Sequence, residues 1–286
     1  MPNVPRRWTD TPDADKQRTL KRIIKDIGDS FWNPYDLFPV LREYTPEFLS
    51  PVIEILGVGN SGIIVKCLYS WGLVYKIPKT EFARSQIGKE HDIHDDFYIA
   101  LRKGKKEKDP KKKIPDFIHI PLSPEKLKEG NKGYHLECVE WNSLHSLYLK
   151  KKFHAEITSF LEKYFANSVP KLQNGMLRWA HTQRDIYLDE IIEWLNDYEV
   201  NQILIKMWKI GMVKHIHDFE AYFKDPLLKG LLLESDLWMT PEVFQNGIQK
   251  FRAYCKEKWL EHKDLNGGNI MVGKNGYIYI IDFEIT

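Results

Sequence analysis

Hydrophobic positions in the front half of the chain form short runs that are rich in β-branched residues and predict strands. Three of these runs, at 52–56, 63–68 and 73–77, are separated by glycine-containing turns. This arrangement is typical of an antiparallel meander. Two more runs, at 117–120 and 134–139, have the same character and predict two further strands.

Elsewhere the apolar residues recur with a helical period, which predicts helices. Between residues 82 and 101, the main apolar residues are Ile87, Ile93, Phe97 and Leu101. Beyond about residue 143 the pattern is helical and rich in aromatic residues. The remaining predicted helices span 15–28, 158–165, 185–196, 201–223 and 240–260.

The change from strands to helices predicts an α+β fold with two lobes that meet near residues 140–143. We expect residues 1–49 to form an N-terminal extension with a short helix, which buttresses the first lobe. Residues 50–141 are expected to form that lobe around an antiparallel sheet. Residues 142–286 are expected to form a mostly helical second lobe.

Composition narrows the class of protein. The 286 residues are 43% hydrophobic and carry a net charge of +2, which fits a globular chain and predicts no nucleic-acid partner. Three widely separated cysteines form no CxxC pair, which favours a reducing compartment. No apolar run approaches the length of a membrane span, and a cytoplasmic location is expected.

One segment, 102–113, is strongly basic and reads RKGKKEKDPKKK. Its simplest interpretation is a solvated loop tip, because Glu107 and Asp109 interrupt the charge and Gly104 and Pro110 break the helix. A patch that binds phosphate or a membrane is the alternative.

A glycine motif follows the first predicted strand. Residues 57–62 read GVGNSG and fill the pattern G-x-G-x-x-G, with Ile64 two positions beyond. Dinucleotide-binding loops share this spacing, but they lead from a strand into a helix. Here a second strand follows, so the loop is expected to be a hairpin whose backbone N–H groups approach phosphates. An ordinary glycine-rich hairpin is the alternative.

A lysine lies inside the apolar run that follows. Lys76 belongs to the sequence LVYKI, and a lysine buried among such neighbours needs a partner for its charge. Glu90, on the next predicted helix, can supply that partner. Lys79 is the rival lysine, but it follows Pro78 at the end of the strand and is expected to face solvent.

The last quarter of the chain carries HKDLNGGN at 262–269 and IIDFE at 280–284. Asp264 can accept the proton of an incoming hydroxyl, and Asn269 can offer an oxygen to Mg²⁺. A hairpin of strands 270–272 and 277–281, joined by a turn at 273–276, is expected to place Asp282 beside Asn269. For His262, a packed core residue and a residue of the catalytic loop are equally good interpretations.

Together these motifs resemble the protein-kinase-like superfamily across roughly residues 50–286. The resemblance implies a bilobal fold, ATP and Mg²⁺ as cofactors, and phosphoryl transfer to an alcohol group. Asp264 would then be the catalytic base. Lys76 would hold the α- and β-phosphates and pair with Glu90. Asn269 and Asp282 would be the Mg²⁺ ligands.

The resemblance also implies where the nucleotide binds. Residues 138–141, CVEW, resemble the hinge, so Val139 would be the gatekeeper. The backbone of Glu140 and Asn142 would meet adenine. The remaining expected nucleotide contacts are Gly57, Gly59, Asn60, Ser61, Gly62 and Ile64.

The chain also departs from the family pattern. Lys263 replaces the usual Arg, Asn266 replaces a Lys, and Glu284 replaces the Gly of Asp-Phe-Gly. We expect the activation segment and the lower helices of the second lobe to be absent, with a segment near 170–240 in their place. In this respect the chain is similar to bacterial effector and phage kinases.

Three functions follow from the resemblance. The first is a protein Ser/Thr kinase without a phosphorylation-switched loop, acting on a protein substrate (in a host cytoplasm, for an effector) and dependent on an activating partner or constitutively active. The second is a small-molecule kinase of the aminoglycoside or choline type, which Asn266 and Glu284 favour. The third is a pseudokinase that only binds partners, against which the complete set of nucleotide and metal residues stands.

Overall fold

The structure is a computed structural model, and it describes ten stretches of the chain. They are 52–59, 62–67, 72–78, 81–123, 133–139, 142–168, 188–214, 226–234, 239–273 and 276–283. The predicted extension over 1–49, with its helix, lies outside them. By their contacts the described residues form two compact units, one of 149–168 with 188–214 and one of all the others. The predicted lobe boundary near 140–143 stays a prediction.

Most of the predicted strands build one antiparallel sheet, in the order β1–β2–β3–β5. Its strands are β1 (Val52–Val58), β2 (Gly62–Cys67), β3 (Leu73–Pro78) and β5 (Tyr134–Glu137). Ile63 and Val65 are fully buried on β2, which is why this β-branched run forms a central strand. The strands predicted at 52–56, 63–68, 73–77 and 134–139 are confirmed within one or two residues at each end.

A long helix, α1 (Glu81–Lys105), follows β3. It continues one turn beyond the predicted end at residue 101, and Gly104 does not break it. Gly104 lies in the last turn of the helix, where a Cβ would meet Cδ1 and Cγ1 of Ile114. A glycine at this position therefore lets the segment with Ile114 pack closely against the helix. Arg102, Lys103 and Lys105 also suit the negative end of the helix dipole.

The strand predicted at 117–120 is β4 (Ile118–His119), and it does not join the first sheet. It pairs in parallel with β7 (Ile278–Ile280), which in turn pairs antiparallel with β6 (Ile270–Val272). The β6–β7 hairpin is the one expected at 270–281, and Gly276 takes a positive φ in its turn. A small second sheet therefore connects the front of the chain to the segment with Asp282.

One hydrophobic core lies between α1, the second sheet and a late helix, α6 (Pro241–Glu257). Phe97 and Phe251 are fully buried in it, with ring centroids 6.2 Å apart. The other buried members are Ala100, Leu101, Ile114, Ile118, Ile120, Tyr254, Cys255, Ile280 and Phe283. This core holds β7 and the following residues against α1, which positions the site described below.

The remaining helices are α2 (Leu144–Lys152), α3 (His154–Ser168), α4 (Asp197–Lys209) and α5 (Pro226–Glu234). Residues 188–194 are also helical, within the helix predicted at 185–196. The helix predicted at 158–165 is part of the longer α3. The helix predicted at 240–260 is α6, which ends three residues earlier.

The prediction of one helix over 201–223 is wrong for its described part. Helix α4 begins four residues earlier, because Asn196 and Glu199 form a capping box. It ends at Lys209, and Gly211 follows with a φ of 73°. Helix α5, inside the segment expected near 170–240, was not predicted from the sequence.

Candidate active site

Lys76 lies on β3, and its ammonium group reaches two carboxylates. Its Nζ is 2.7 Å from Oε2 of Glu90 and 2.6 Å from Oδ1 of Asp282. The expected pair of Lys76 and Glu90 is therefore present. The same ammonium also binds Asp282, which is 206 positions away in the sequence.

Helix α1 delivers Glu90 because its buried face is apolar on both sides of this residue. Ile87 and Phe97 are fully buried, and Glu90 and His94 lie on the same face at helical spacing. His94 interacts through Nε2 with the carbonyl oxygen of Pro121, 2.7 Å away. Burial lowers the pKa of His94 to about 4, so its ring is neutral and acts as the donor in this contact.

Burial and charge act in opposite directions on Lys76. Burial by itself lowers the pKa of its ammonium group, but the oxygens of Tyr134, Asp282 and Glu90 outweigh it and the pKa is raised. Burial also raises the pKa of Tyr134 to about 12, so this phenol is un-ionised at neutral pH. The negative charge that compensates the ammonium group of Lys76 therefore comes from the carboxylates of Asp282 and Glu90.

The three motif glycines have different surroundings. A Cβ on Gly62 would lie 2.9 Å from the carbonyl oxygen of Ile77, 3.0 Å from Ile87 and 3.3 Å from Cγ of Lys76. Gly62 is thus required for packing between β2, β3 and α1. Gly57 and Gly59 have no neighbour closer than 3.8 Å to such a Cβ, and the N–H of Gly59 donates to the carbonyl oxygen of Gly62 over 2.9 Å. Asn60 and Ser61 lie outside the described residues.

Asp264 is exposed, and two asparagine amides hold its carboxylate. Nδ2 of Asn266 donates to Oδ1 over 2.8 Å, and Nδ2 of Asn269 donates to Oδ2 over 3.1 Å. Asn269 also donates to the carbonyl oxygen of Asp264, over 2.7 Å. Because Nδ2 of Asn269 is committed to Asp264, its amide oxygen is the atom left for a metal ion.

The segment after β7 is anchored beneath α1. His262 is buried, and its Nε2 donates to the carbonyl oxygen of Ile281 over 3.0 Å, since burial lowers its pKa and keeps the ring neutral. Phe283 stacks on Phe97 with centroids 4.5 Å apart and also packs against His262, at 4.9 Å. His262 is therefore a packed core residue that also holds the backbone of the segment just before Asp282.

Asp282 lies between these two anchors. Its φ is 61°, a conformation that Asp tolerates better than most residues. The N–H of Ile281 donates to the carbonyl oxygen of Asn269 over 3.0 Å, so the segments that carry Asp282 and Asn269 are adjacent. The side chain of Asp282 keeps 30% of its surface exposed, which leaves it accessible to a metal ion.

The expected adenine contacts are described only in part. Val139 is half-buried, and Glu140 lies outside the described residues. Asn142 is buried, and its carbonyl oxygen accepts from the N–H of Val272 over 3.2 Å. Ile64 is half-buried on β2 directly opposite Lys76.

Sequence reasoning missed two residues of this site. Tyr134 lies opposite Lys76 on β5 and is buried against it, but a tyrosine in a short strand carries no signal of such a role. Asn266 was noted only as a departure from the family pattern. Its side chain accepts from the N–H of Gly268 over 2.7 Å, and Asn-Gly-Gly is a sequence signal for this kind of turn.

The oxygen donors of Asp282 and Asn269 are too few to hold a hard divalent cation unless a bound ligand and water supply further oxygens. Within the described stretches, no group of three or more His, Cys, Asp or Glu side chains could hold a metal ion. Asp282 and Asn269 offer a carboxylate and an amide oxygen, and Mg²⁺ commonly takes its remaining ligands from substrate phosphates and water.

Among the residues that the structure describes, no helix has the length and apolar character needed to cross a bilayer.

Comparison with known proteins gives a partial similarity. No protein-family model matches the chain. A segment of 67 residues is 27% identical to cyclin-dependent kinase D-1 of Arabidopsis thaliana. The similar segment covers 22% of this chain and 17% of the plant protein, so it spans about a sixth of that relative. This weak similarity hints at a kinase-like protein, and the α+β architecture with its antiparallel sheet is compatible with a bilobal kinase-like fold.

Proposed function

We propose that this protein is an ATP- and Mg²⁺-dependent phosphotransferase that acts on an alcohol group, most specifically a protein Ser/Thr kinase. One observation carries the proposal. A single buried ammonium group, that of Lys76, contacts Glu90 from α1 and Asp282 from the segment after β7. Two consecutive elements, β3 and α1, thus meet a segment that lies 206 positions beyond Lys76, and this convergence supports the arrangement that binds nucleotide phosphates in kinases.

The charges of the site fit this ligand. Lys76 balances one of the two carboxylates it contacts, and Asp264 adds another near the surface. The site is therefore net acidic, which suits a divalent cation. Asp282 and Asn269 would hold Mg²⁺, which when bound neutralises the charge that develops on the phosphates. Lys76 would bind phosphate oxygens, and Glu90 would keep its ammonium group in place.

Asp264 is the proposed base. The amides of Asn266 and Asn269 fix both of its oxygens while the side chain remains exposed. An acceptor hydroxyl can therefore approach a carboxylate whose orientation is already set, and a carboxylate oxygen of Asp264 takes its proton. Preset orientation of this kind is a main source of rate enhancement.

Two candidate functions differ in the class of molecule that accepts the phosphate. The similarity to a cyclin-dependent kinase supports a protein acceptor, and an activating partner belongs to the same proposal. A small-molecule acceptor is the second candidate, because Asn266 bonds to Asp264 at a place where protein kinases usually carry a lysine. The two candidates share the base, the lysine and the metal ligands and differ only in the acceptor.

Phosphate transfer from labelled ATP tests the proposal. With Mg²⁺, the wild-type protein should label itself or a generic protein substrate. Asp264→Ala should reduce the rate by about 10²–10⁴-fold, because it removes the proton acceptor. The matched control is Asp96→Ala, which changes an exposed aspartate on α1. That control should keep the wild-type rate.

Other results of these assays would contradict one candidate function or both. Labelling confined to small amino- or hydroxy-compounds would favour the second candidate. If Mg²⁺ and ATP together raise the melting temperature of neither the wild type nor Asp264→Ala, both enzyme functions are wrong. Equal rates for the wild type and Asp264→Ala would remove Asp264 from the proposed role.

A further inference from the structure

The basic segment 102–113 is not absorbed by the proposed function. It contains eight Lys and Arg residues against two acidic residues, whereas the whole chain has a net charge of only +2. The rest of the chain is therefore net acidic, and positive charge is concentrated in this segment. Most of its side chains are exposed.

The two acidic residues leave the segment with a net charge of +6, eight positive against two negative side chains, and they also cap their own loop. Oε1 of Glu107 accepts from the N–H of Lys108 over 2.8 Å, and Oδ1 of Asp109 accepts from the N–H of Lys111 over 2.9 Å. The carbonyl oxygen of Asp109 accepts two more N–H groups. These interruptions, which favoured a plain solvated loop, instead give the loop a defined turn from which lysines project.

The loop is fixed against the C-terminal half of α6. Nζ of Lys250 donates to the carbonyl oxygen of Pro110 over 3.1 Å, and Nζ of Lys112 pairs with Glu257, also over 3.1 Å. Arg252 and Lys256 on the same half of α6 are exposed, and so is Lys258 directly after the helix. The loop and the helix end thus form one basic surface, which we define as segment 102–113 together with 250–259.

A tryptophan stands at the edge of this surface. Trp259 follows the end of α6, and its N–H donates to the carbonyl oxygen of Lys256. Its side chain is 96% exposed, and its φ is 61°. A bulky residue in this left-handed conformation is strained. The C-terminal cap of α6 imposes the conformation, because the N–H of the next residue, Leu260, donates to the carbonyl oxygen of Cys255. The ring therefore offers a large apolar surface with one polar N–H group to a ligand.

The chemistry around Trp259 points to a membrane more than to a protein. Cores of protein–protein interfaces are depleted in lysine and need an apolar patch around the anchor residue. Here Trp259 stands among lysines, which are flexible point charges without the fixed geometry of arginine. Lysine clusters attract the anionic lipids of a membrane surface, and tryptophan prefers the region of the lipid headgroups.

We propose that the basic surface and Trp259 dock this protein onto an anionic membrane surface. Lysines of segment 102–113 bind the headgroups, and the ring of Trp259 inserts at the interface. This inference does not depend on the proposed phosphotransferase function. It assigns the surface a ligand class, anionic phospholipid, and a mode of attachment that needs no membrane-spanning helix.

Vesicle co-sedimentation tests the proposal with the full chain. Wild-type protein should bind vesicles of phosphatidylcholine with phosphatidylserine and should bind pure phosphatidylcholine far more weakly. Changing Lys106, Lys108 and Lys111 together to Gln should weaken binding by on the order of 100-fold, at about fivefold for each lysine. The matched control changes three exposed lysines elsewhere, Lys89, Lys163 and Lys214, to Gln. It should bind like the wild type.

Two variants of Trp259 separate binding from folding. Trp259→Gly and Trp259→Ala should both weaken binding roughly tenfold, because each removes the ring. Only Trp259→Gly should also raise the melting temperature, by roughly 2 °C, because glycine tolerates the left-handed conformation. A protein that is more stable and yet binds less cannot be explained by misfolding. Trp208→Ala, at another exposed tryptophan, should leave binding unchanged.

Three results would overturn the proposal. The first is equal binding of the wild type to both kinds of vesicle, or to neither. The second is wild-type binding by the triple lysine variant. The third is binding to poly-glutamate but not to phosphatidylserine vesicles, which would identify an acidic polypeptide as the ligand instead.

Discussion

Replacement of Lys76 by Met isolates the interaction on which the site depends. The variant keeps a side chain of similar length and apolar character but removes the positive charge between Glu90 and Asp282. Lys76 is 5% exposed and Glu90 is 1% exposed, so water cannot replace the lost ammonium group at Glu90. Asp282 differs, because its side chain is 30% exposed and can regain water.

The expected loss follows from this asymmetry. Removing one partner of a buried ion pair destabilises a protein by about 3–5 kcal/mol, because a charge stays buried without compensation. Since only Glu90 is fully enclosed, we expect the lower end, about 3 kcal/mol in the free energy of unfolding. Total stabilities of about 5–15 kcal/mol make this a large effect. A double variant, Lys76→Met with Glu90→Leu, should recover much of the loss.

Urea unfolding at pH 7 of the wild type, Lys76→Met and the double variant measures the effect. A loss below about 1 kcal/mol in Lys76→Met would refute the reasoning. So would a double variant that recovers none of a larger loss.

Three further predictions concern the same site. In the wild type the raised pKa of Tyr134 means that this phenol ionises first in the unfolded chain, so the free energy of unfolding falls between about pH 10 and 12. Tyr134→Phe should remove this fall, and alkaline unfolding curves of the two proteins measure the difference. Asn266→Ala should lower kcat roughly tenfold and leave KM for ATP unchanged in steady-state assays, because Asp264 loses a hydrogen bond that orients it; an unchanged kcat would contradict it. Gly62→Ala should destabilise the fold by about 1–3 kcal/mol, because its Cβ would crowd the carbonyl oxygen of Ile77, while the control Gly57→Ala should change stability by less than about 0.5 kcal/mol in urea unfolding.

Much of the local structure could be predicted from the chain itself. The runs around Ile63 and Val74 alternate or cluster in the way that buried strands require, and the strands form there. The pair of Lys76 and Glu90 was also predictable, because a lysine inside an apolar strand needs a counter-charge and the next helix offered one on its buried face. The α+β class followed from these two patterns.

Other features depended on contacts that leave no periodic signal. The run at 117–120 was recognised as a strand, but its pairing with β7 joins residues about 160 positions apart, and two residues of β4 carry no preference for one sheet over another. Helix α4 begins earlier than predicted because a capping box forms at its start. Helix α1 extends past Gly104, and Ile114 packs against this glycine where a side chain would not fit. Local propensity is weak, so caps and packing decided these boundaries.

The sequence by itself determined which chemical groups are available: a lysine in a strand, a glutamate on a helix face, and oxygen donors at Asp264, Asn269 and Asp282. Only the tertiary structure decided that Lys76 contacts Glu90 and Asp282 at once, that Asn266 and Asn269 orient Asp264, and that Trp259 stands exposed beside the basic segment. The physical reason is that residue type and spacing set local conformation and charge. Distances between remote segments are set by the packing of the core around Phe97, Phe251 and Phe283.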